Sequence, residues 1–273
     1  MKPRTEEFLN LLLWTADRLL HPTFRNLTDS YESWAYRTGL WRELPTLVAR
    51  GLIERQTKAP HDRVYRLTNE GRVHALGGRD PLAAWARAWD GRWRLVVFDI
   101  PTARDSDRTR LRRRLRSLGF GYLQKSVWIT PDPLRTNRDR LAQGEVDVES
   151  LVVLEARPGG GETDAQLVAG AWDFARINEA YARYLCVLEA VPRQALGTRA
   201  AARALHRWAA AERHAWLTAV SLDPLLPESL LPVGYEGKSA WHRRAEVLGE
   251  TAEWMRGQPA PAAAATGGQA GGG

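Results

Sequence analysis

The stretch "LVVFDIP", residues 95–101, decides how the middle of this 273-residue chain is read. Four β-forming apolar residues lead into an acid and then a proline. Val and Phe favour a pleated, half-buried surface. Pro101 cannot donate to a ladder, so pairing stops beside Asp99. Taking in Trp93 and Arg94 gives a strand over 93–99. A helix over 105–118 follows, with Leu111, Leu115 and Leu118 on one buried stripe and Arg108, Arg110, Arg112, Arg113, Arg114 and Arg116 on the other faces. The segment "GFGYLQKSVWIT" turns at its glycines and reads as a strand over 120–130, then a loop or short helix over 132–143, then a strand over 150–157. Strand, helix, strand and a further strand predict a small ferredoxin-like α+β domain over 93–160.

Upstream, "GGRDPLAAWARAWDGRW" is expected to be a linker that becomes a short Trp-rich helix over 81–92, with Trp85, Trp89 and Trp93 used for packing. Before it lies the order helix, helix, helix, β-hairpin. "EEFLNLLLWTADRLL" carries apolar residues at helical spacing, and a short helix after Thr28, Asp29 and Ser30 ends at Gly39. The next helix, 40–50, places Leu40, Leu44, Leu47 and Val48 on one face and stops at Gly51. Two β-prone runs, 52–57 and 63–68, flank a turn. This is the winged helix-turn-helix order, over 1–80. The helix 40–50 would read DNA with Trp41, Arg42, Thr46 and Arg50, helped by Arg37, and the wing would offer Lys58, His61 and Arg63. Pro45 lies inside that helix. It removes a backbone hydrogen bond, so the helix either starts late, near Leu44, or is kinked.

Downstream, residues 161–256 read as mainly helical. "VPRQ" breaks the pattern once, and "LDPLLPESLLPVGYEG" is a structured turn. The segment 257–273, "GQPAPAAAATGGQAGGG", has nothing apolar beyond alanine and is expected to be disordered.

The net charge of +7 is unevenly spread: +3 over 1–80, +6 over 81–118 and −2 over 119–273. A positive front favours a polyanionic partner. The single cysteine, Cys186, excludes a disulfide framework and a Cys-rich zinc site, and its apolar helical context predicts a buried thiol. The six histidines lack ligand spacing. His206 and His214 lie in an amphipathic stretch and read as surface or packing residues. No GxxxxGK[ST], GxGxxG or GxSxG is present, so those nucleotide and hydrolase signatures are absent. Asp99 could hold Mg²⁺ at a strand end, which keeps a metal-dependent nuclease as a rival reading. No second acid stands near it, because Asp105 and Asp107 begin the Arg-rich helix and suit its positive N-terminus. Asp99 is therefore read as a strand terminator, with no metal, no cofactor and no enzyme activity. "FLNLLLWTADRLL" is too short to span a bilayer, no secretion-type leader is seen, and the chain reads as cytoplasmic.

"RWRLVVFDIP" with "RTRLRRRLRSLGFGYLQKSVWITP", then "YRLTNEGRVHALGGRDPLAAWARAWDG", "AWDFARINEAYARYL" and "LDPLLPESLLPVGYEG", resemble the phenylacetic-acid-degradation repressor (PaaX-like) family, from about residue 50 to 248. The resemblance implies a three-part regulator: an N-terminal winged helix, a central ferredoxin-like domain and a C-terminal helical domain. Its central domain is similar to the small subunit of the CRISPR adaptation complex, which uses an aspartate at the position matching Asp99. It implies a repressor of operator DNA, released by an aryl-acyl-CoA effector such as phenylacetyl-CoA; a homodimer is expected, because it would present two recognition helices to a palindromic operator. Pro45 and Thr46 depart from that family's recognition-helix pattern, which makes an interaction module without specific DNA binding a further rival.

Overall fold

Why does the chain around residue 95 fold as it does? In the computed structural model, which describes residues 40–59, 62–76, 78–99, 105–133, 150–194 and 199–256, Trp93–Asp99 is a strand with inner positions on both faces. The architecture is α+β and divides into two compact units, one from residues 1–76, 185–214 and 241–273, the other from 77–184 and 215–240.

The first unit opens with a 3-10 turn, Leu40–Glu43, that runs into α1, Leu44–Ala49. Pro45 explains the late start. It sits in the first turn of α1, where its missing N–H has no intrahelical acceptor to lose. Leu44 and Leu47 are buried beneath the helix. The end is a Schellman motif: Gly51 N–H donates to Val48 O at 2.9 Å and Leu52 N–H to Leu47 O at 3.0 Å. Gly51 takes φ 68°, which only glycine adopts without cost. Strands β1, Ile53–Ala59, and β2, Asp62–Leu67, then pair antiparallel, with a register irregularity between Thr57 and Ala59. They agree with the hairpin read from the sequence to within two residues. Helix α2, Asn69–Ala75, is capped by Thr68, whose hydroxyl accepts from Gly71 N and donates to Gly51 O. A side chain at 71 would put its Cβ 1.8 Å from Leu52 O, so glycine is required for α2 to close on the end of α1. The helices read for residues 1–39 and the segment 257–273 lie outside the described residues.

The second unit begins with α3, Pro81–Ala86, which is shorter than the helix expected over 81–92. Trp85 and Trp93 are buried, and Trp89 packs on Trp93 at 5.4 Å. The sheet follows: β3, Trp93–Asp99; α4, Asp105–Ser117; β4, Gly121–Gln124; β5, Val127–Thr130; β6, Ser150–Ala156. The strand order is β4-β5-β3-β6, with every neighbouring pair antiparallel. This is the order of a ferredoxin-like sheet. The segment expected as one strand over 120–130 is instead a hairpin. Lys125 adopts φ 42° at its turn, a conformation rare without glycine, and that is why the sequence "LQKSV" hid it. Side chains alternate across β3. Val96 and Phe98 join Leu111, Leu115, Phe120 and Trp128 on one face, while Trp93 joins Ile129, Val168, Ala171, Leu226 and Leu230 on the other. Each Val, Leu, Ile or Phe among them contributes about 1.5–3 kcal/mol by leaving water.

The mainly helical remainder comprises α5, Asp164–Ala171, α6, Phe174–Glu189, α7, Arg199–Leu222, and α8, Gly237–Arg256, with a 3-10 turn at Glu228–Leu230. Thr163 and Gln166 form a capping box on α5. Cys186 is exposed, against expectation. The buried stripe of α6 runs through Tyr181, Tyr184 and Leu188, and Cys186 points away from it. Among the described residues no helix is long and apolar enough to cross a membrane.

Candidate functional site

Arg42, Thr46 and Arg50 recur every four residues through the 3-10 turn and α1, opposite Leu44 and Leu47, and all three are exposed. Burial of the two leucines fixes which way they face. Neither guanidinium has a hydrogen bond or ion pair among the described residues. The pair can therefore meet phosphate oxygens or guanine edges, and the Thr46 hydroxyl lies between them in sequence. Trp41 falls in the same 3-10 turn, Lys58 in β1 and Arg63 in β2, where it pairs in register with Thr57. The side chains of these three, and Arg37 and His61 altogether, lie outside the described residues. The structure thus brings together three of the eight residues picked from sequence.

Asp99 is the last residue of β3, exposed, and in register with Ser150 on β6. Among the described residues no group of three or more His, Cys, Asp or Glu is placed to hold a metal ion. Residues 100–104, with Pro101, lie outside the described residues.

A polar network in the second unit was not found by sequence reasoning. Asp223, 1% exposed, accepts from Tyr181 Oη at 2.6 Å, from Leu225 N at 2.8 Å and from Tyr235 Oη. Tyr235 Oη in turn accepts from Trp85 Nε1 at 3.1 Å. The Arg79 guanidinium donates to the carbonyls of Val220, Asp223 and Pro224. Burial, partly opposed by the two phenol bonds, holds the Asp223 carboxyl above the usual carboxylate range, and burial likewise raises the Tyr181 phenol. Every heavy polar group of this set has a partner, so it fixes the 223–236 turn and performs no evident chemistry. The available signal was an acid opening the apolar run "LDPLLPESLL".

A second network sits at the start of β3. Arg94, 4% exposed, donates to Asp90, to Glu155 at 3.3 Å and to Pro131 O at 3.1 Å. The Arg94 hydrogen bond holds Asp90 below its ordinary range, and the Arg92 bond does the same for Glu155.

Comparison with known proteins adds two adjoining matches. The family model of the PaaX protein central Cas2-like domain matches residues 86–168, and that of the PaaX-like protein C-terminal domain matches residues 172–253. No curated protein matches the chain. Among solved structures, the uncharacterized protein Rv0674 from Mycobacterium tuberculosis is 26% identical over 80% of this chain and 84% of its own, with a TM-score of 0.46.

Proposed function

The chain belongs to the PaaX-like family, whose members are generally transcription regulators, and from that premise we propose that it is a repressor that binds operator DNA as a homodimer in the cytoplasm and is released by an aryl-acyl-CoA such as phenylacetyl-CoA. The observation that carries the DNA part is the exposed Arg42, Thr46 and Arg50 face of α1, whose two guanidiniums have no partner among the described residues, beside a β-hairpin. In this reading α1 ends a recognition helix and β1–β2 is the wing, with Trp41 and Arg37 beside the helix and Lys58, His61 and Arg63 on the backbone. A two-fold dimer presents two such faces about one helical turn apart, which calls for a pseudo-palindromic operator. An inducer must bind the released state more tightly than the DNA-bound one. The reading assigns no catalytic role, and Asp99 serves as the end of β3.

The test is a footprint of the purified chain on the DNA upstream of its own gene, with and without phenylacetyl-CoA. A protected two-fold site that the thioester clears supports the reading. Protection indifferent to sequence, or none at low salt, contradicts it.

A further inference from the structure

The second unit contains a cavity of about 260 Å³ beside the β4–β5 hairpin. Half-buried Trp172 and exposed Tyr122 line it, with the buried Phe120 and Trp128 behind them, and Tyr122 stands edge-on to Trp128 at 5.3 Å. Trp172 is held hard against the backbone of β4. A Cβ at Gly121 would lie 2.6 Å from its ring, and Trp93 backs it at 6.1 Å. The wall is therefore built before any ligand arrives, which lowers the ordering cost of binding.

Two cations border this wall. Arg116, from the last turn of α4, places its guanidinium 5.5 Å from the centre of the Trp128 ring, and Arg176 comes from the first turn of α6. Neither guanidinium has a hydrogen bond or ion pair among the described residues, whereas Arg87, Arg92, Arg94 and Arg183 each hold a carboxylate. Two acids also line the cavity, and both are engaged. Asp173 accepts from Arg176 N at 3.0 Å at the start of α6, and Asp223 is held by Tyr181, Tyr235 and Leu225. The indole N–H groups of Trp128 and Trp172 are buried and have no acceptor among the described residues.

We propose that this cavity is a binding site for a small aromatic anion, its ring packed against Trp172 and Tyr122 and its charged group held by Arg116 and Arg176. The volume falls below the roughly 300–1,000 Å³ of sites for drug-sized ligands, and suits one substituted ring. Planar guanidiniums suit a carboxylate or a phosphate alike. The site is too small for a whole acyl-CoA, so the proposal goes beyond the regulator reading and does not rest on it.

The test is ¹⁹F NMR on the full chain without DNA, using 4-fluorobenzoate, 4-fluorophenyl phosphate and neutral 4-fluorobenzamide as probes. At least one anion is expected to bind, with the amide at least tenfold weaker. The exposed double variant Arg116→Gln, Arg176→Gln, with an unchanged circular dichroism spectrum, is expected to lose at least tenfold. Which anion wins separates carboxylate from phosphate as the source. Failure of both anions, equal binding of the amide, or an unaffected double variant overturns the site. Because no DNA is present, the outcome is independent of whether the chain binds an operator.

Discussion

Replacing Asp223 with alanine removes one acceptor that serves three donors, the hydroxyls of Tyr181 and Tyr235 and the amide of Leu225. Tyr181 and Leu225 are within 1% of complete burial, so water cannot substitute without entering the core. An unsatisfied buried donor costs about 1–3 kcal/mol. Against the three stands the relief of removing a buried carboxylate, worth several kcal/mol. The net expectation is about 2–4 kcal/mol of lost stability. At about 2–4 °C per kcal/mol for a protein of this length, the melting temperature falls by roughly 5–15 °C. Calorimetry and urea unfolding read the loss, and a cycle with Tyr181→Phe and Tyr235→Phe locates it. Each phenylalanine alone is expected to cost about 1 kcal/mol. In the Asp223→Ala background it should cost nearly nothing, because the bond is already gone. A loss under about 0.5 kcal/mol in Asp223→Ala, or strict additivity in the cycle, refutes the claim that this network holds the 223–236 turn.

Three further outcomes are expected. Arg244 and Glu212, each 1% exposed and paired at 2.7 Å, form a buried ion pair, so Arg244→Met should cost about 3–5 kcal/mol in urea unfolding while Arg244→Met with Glu212→Leu recovers most of it. The folded-state carboxyls of Asp90 and Glu155 lie below their ordinary values of 3.8 and 4.5, so their stabilisation is complete above those values and fades as pH falls through the lower, folded ones. Asp223 is raised, so acid relieves its cost and works the other way; thermal melts should be flat down to about pH 4.5 and fall below it, and a melting point that rises on acidification would show that Asp223 outweighs the other two. Asp99→Asn should leave the melting temperature within error, and neither wild type nor variant should cleave DNA or RNA with Mg²⁺ or Mn²⁺; cleavage that vanishes in the variant would restore the nuclease reading.

The strand at 93–99 was legible to the residue because a run of β-forming apolar residues marked its body and Pro101 its end. The helix over 105–118 was legible through the Leu111 and Leu115 stripe, and its stop through Gly119, which repeats the Schellman ending of α1: Gly119 N–H donates to Arg116 O and Phe120 N–H to Leu115 O. Pro45 foretold a late helix start and left only the alternative of a kink open. The β4–β5 turn was not legible, because a lysine took the left-handed conformation that the eye assigns to glycine. Cys186 was misjudged because an apolar neighbourhood in sequence says nothing of helix phase. The Asp223 network and the cavity walls were hidden for another reason. They join residues far apart in sequence, such as Trp85 with Tyr235 and Arg79 with Pro224, and no local period records such pairs.

The central claim is that the face bearing Arg42, Thr46 and Arg50 reads DNA. Its most direct measurement is the salt-dependent affinity of wild type and of Arg42→Ala with Arg50→Ala for a footprinted operator and for a scrambled duplex, followed by fluorescence anisotropy. Wild type is expected to prefer the operator, and the double variant to lose about 1–3 kcal/mol for each arginine that contacts a base edge. An arginine that contacts phosphate instead should weaken both duplexes alike and make the salt slope shallower by about one. A double variant that binds operator and scrambled DNA as wild type does would contradict the account.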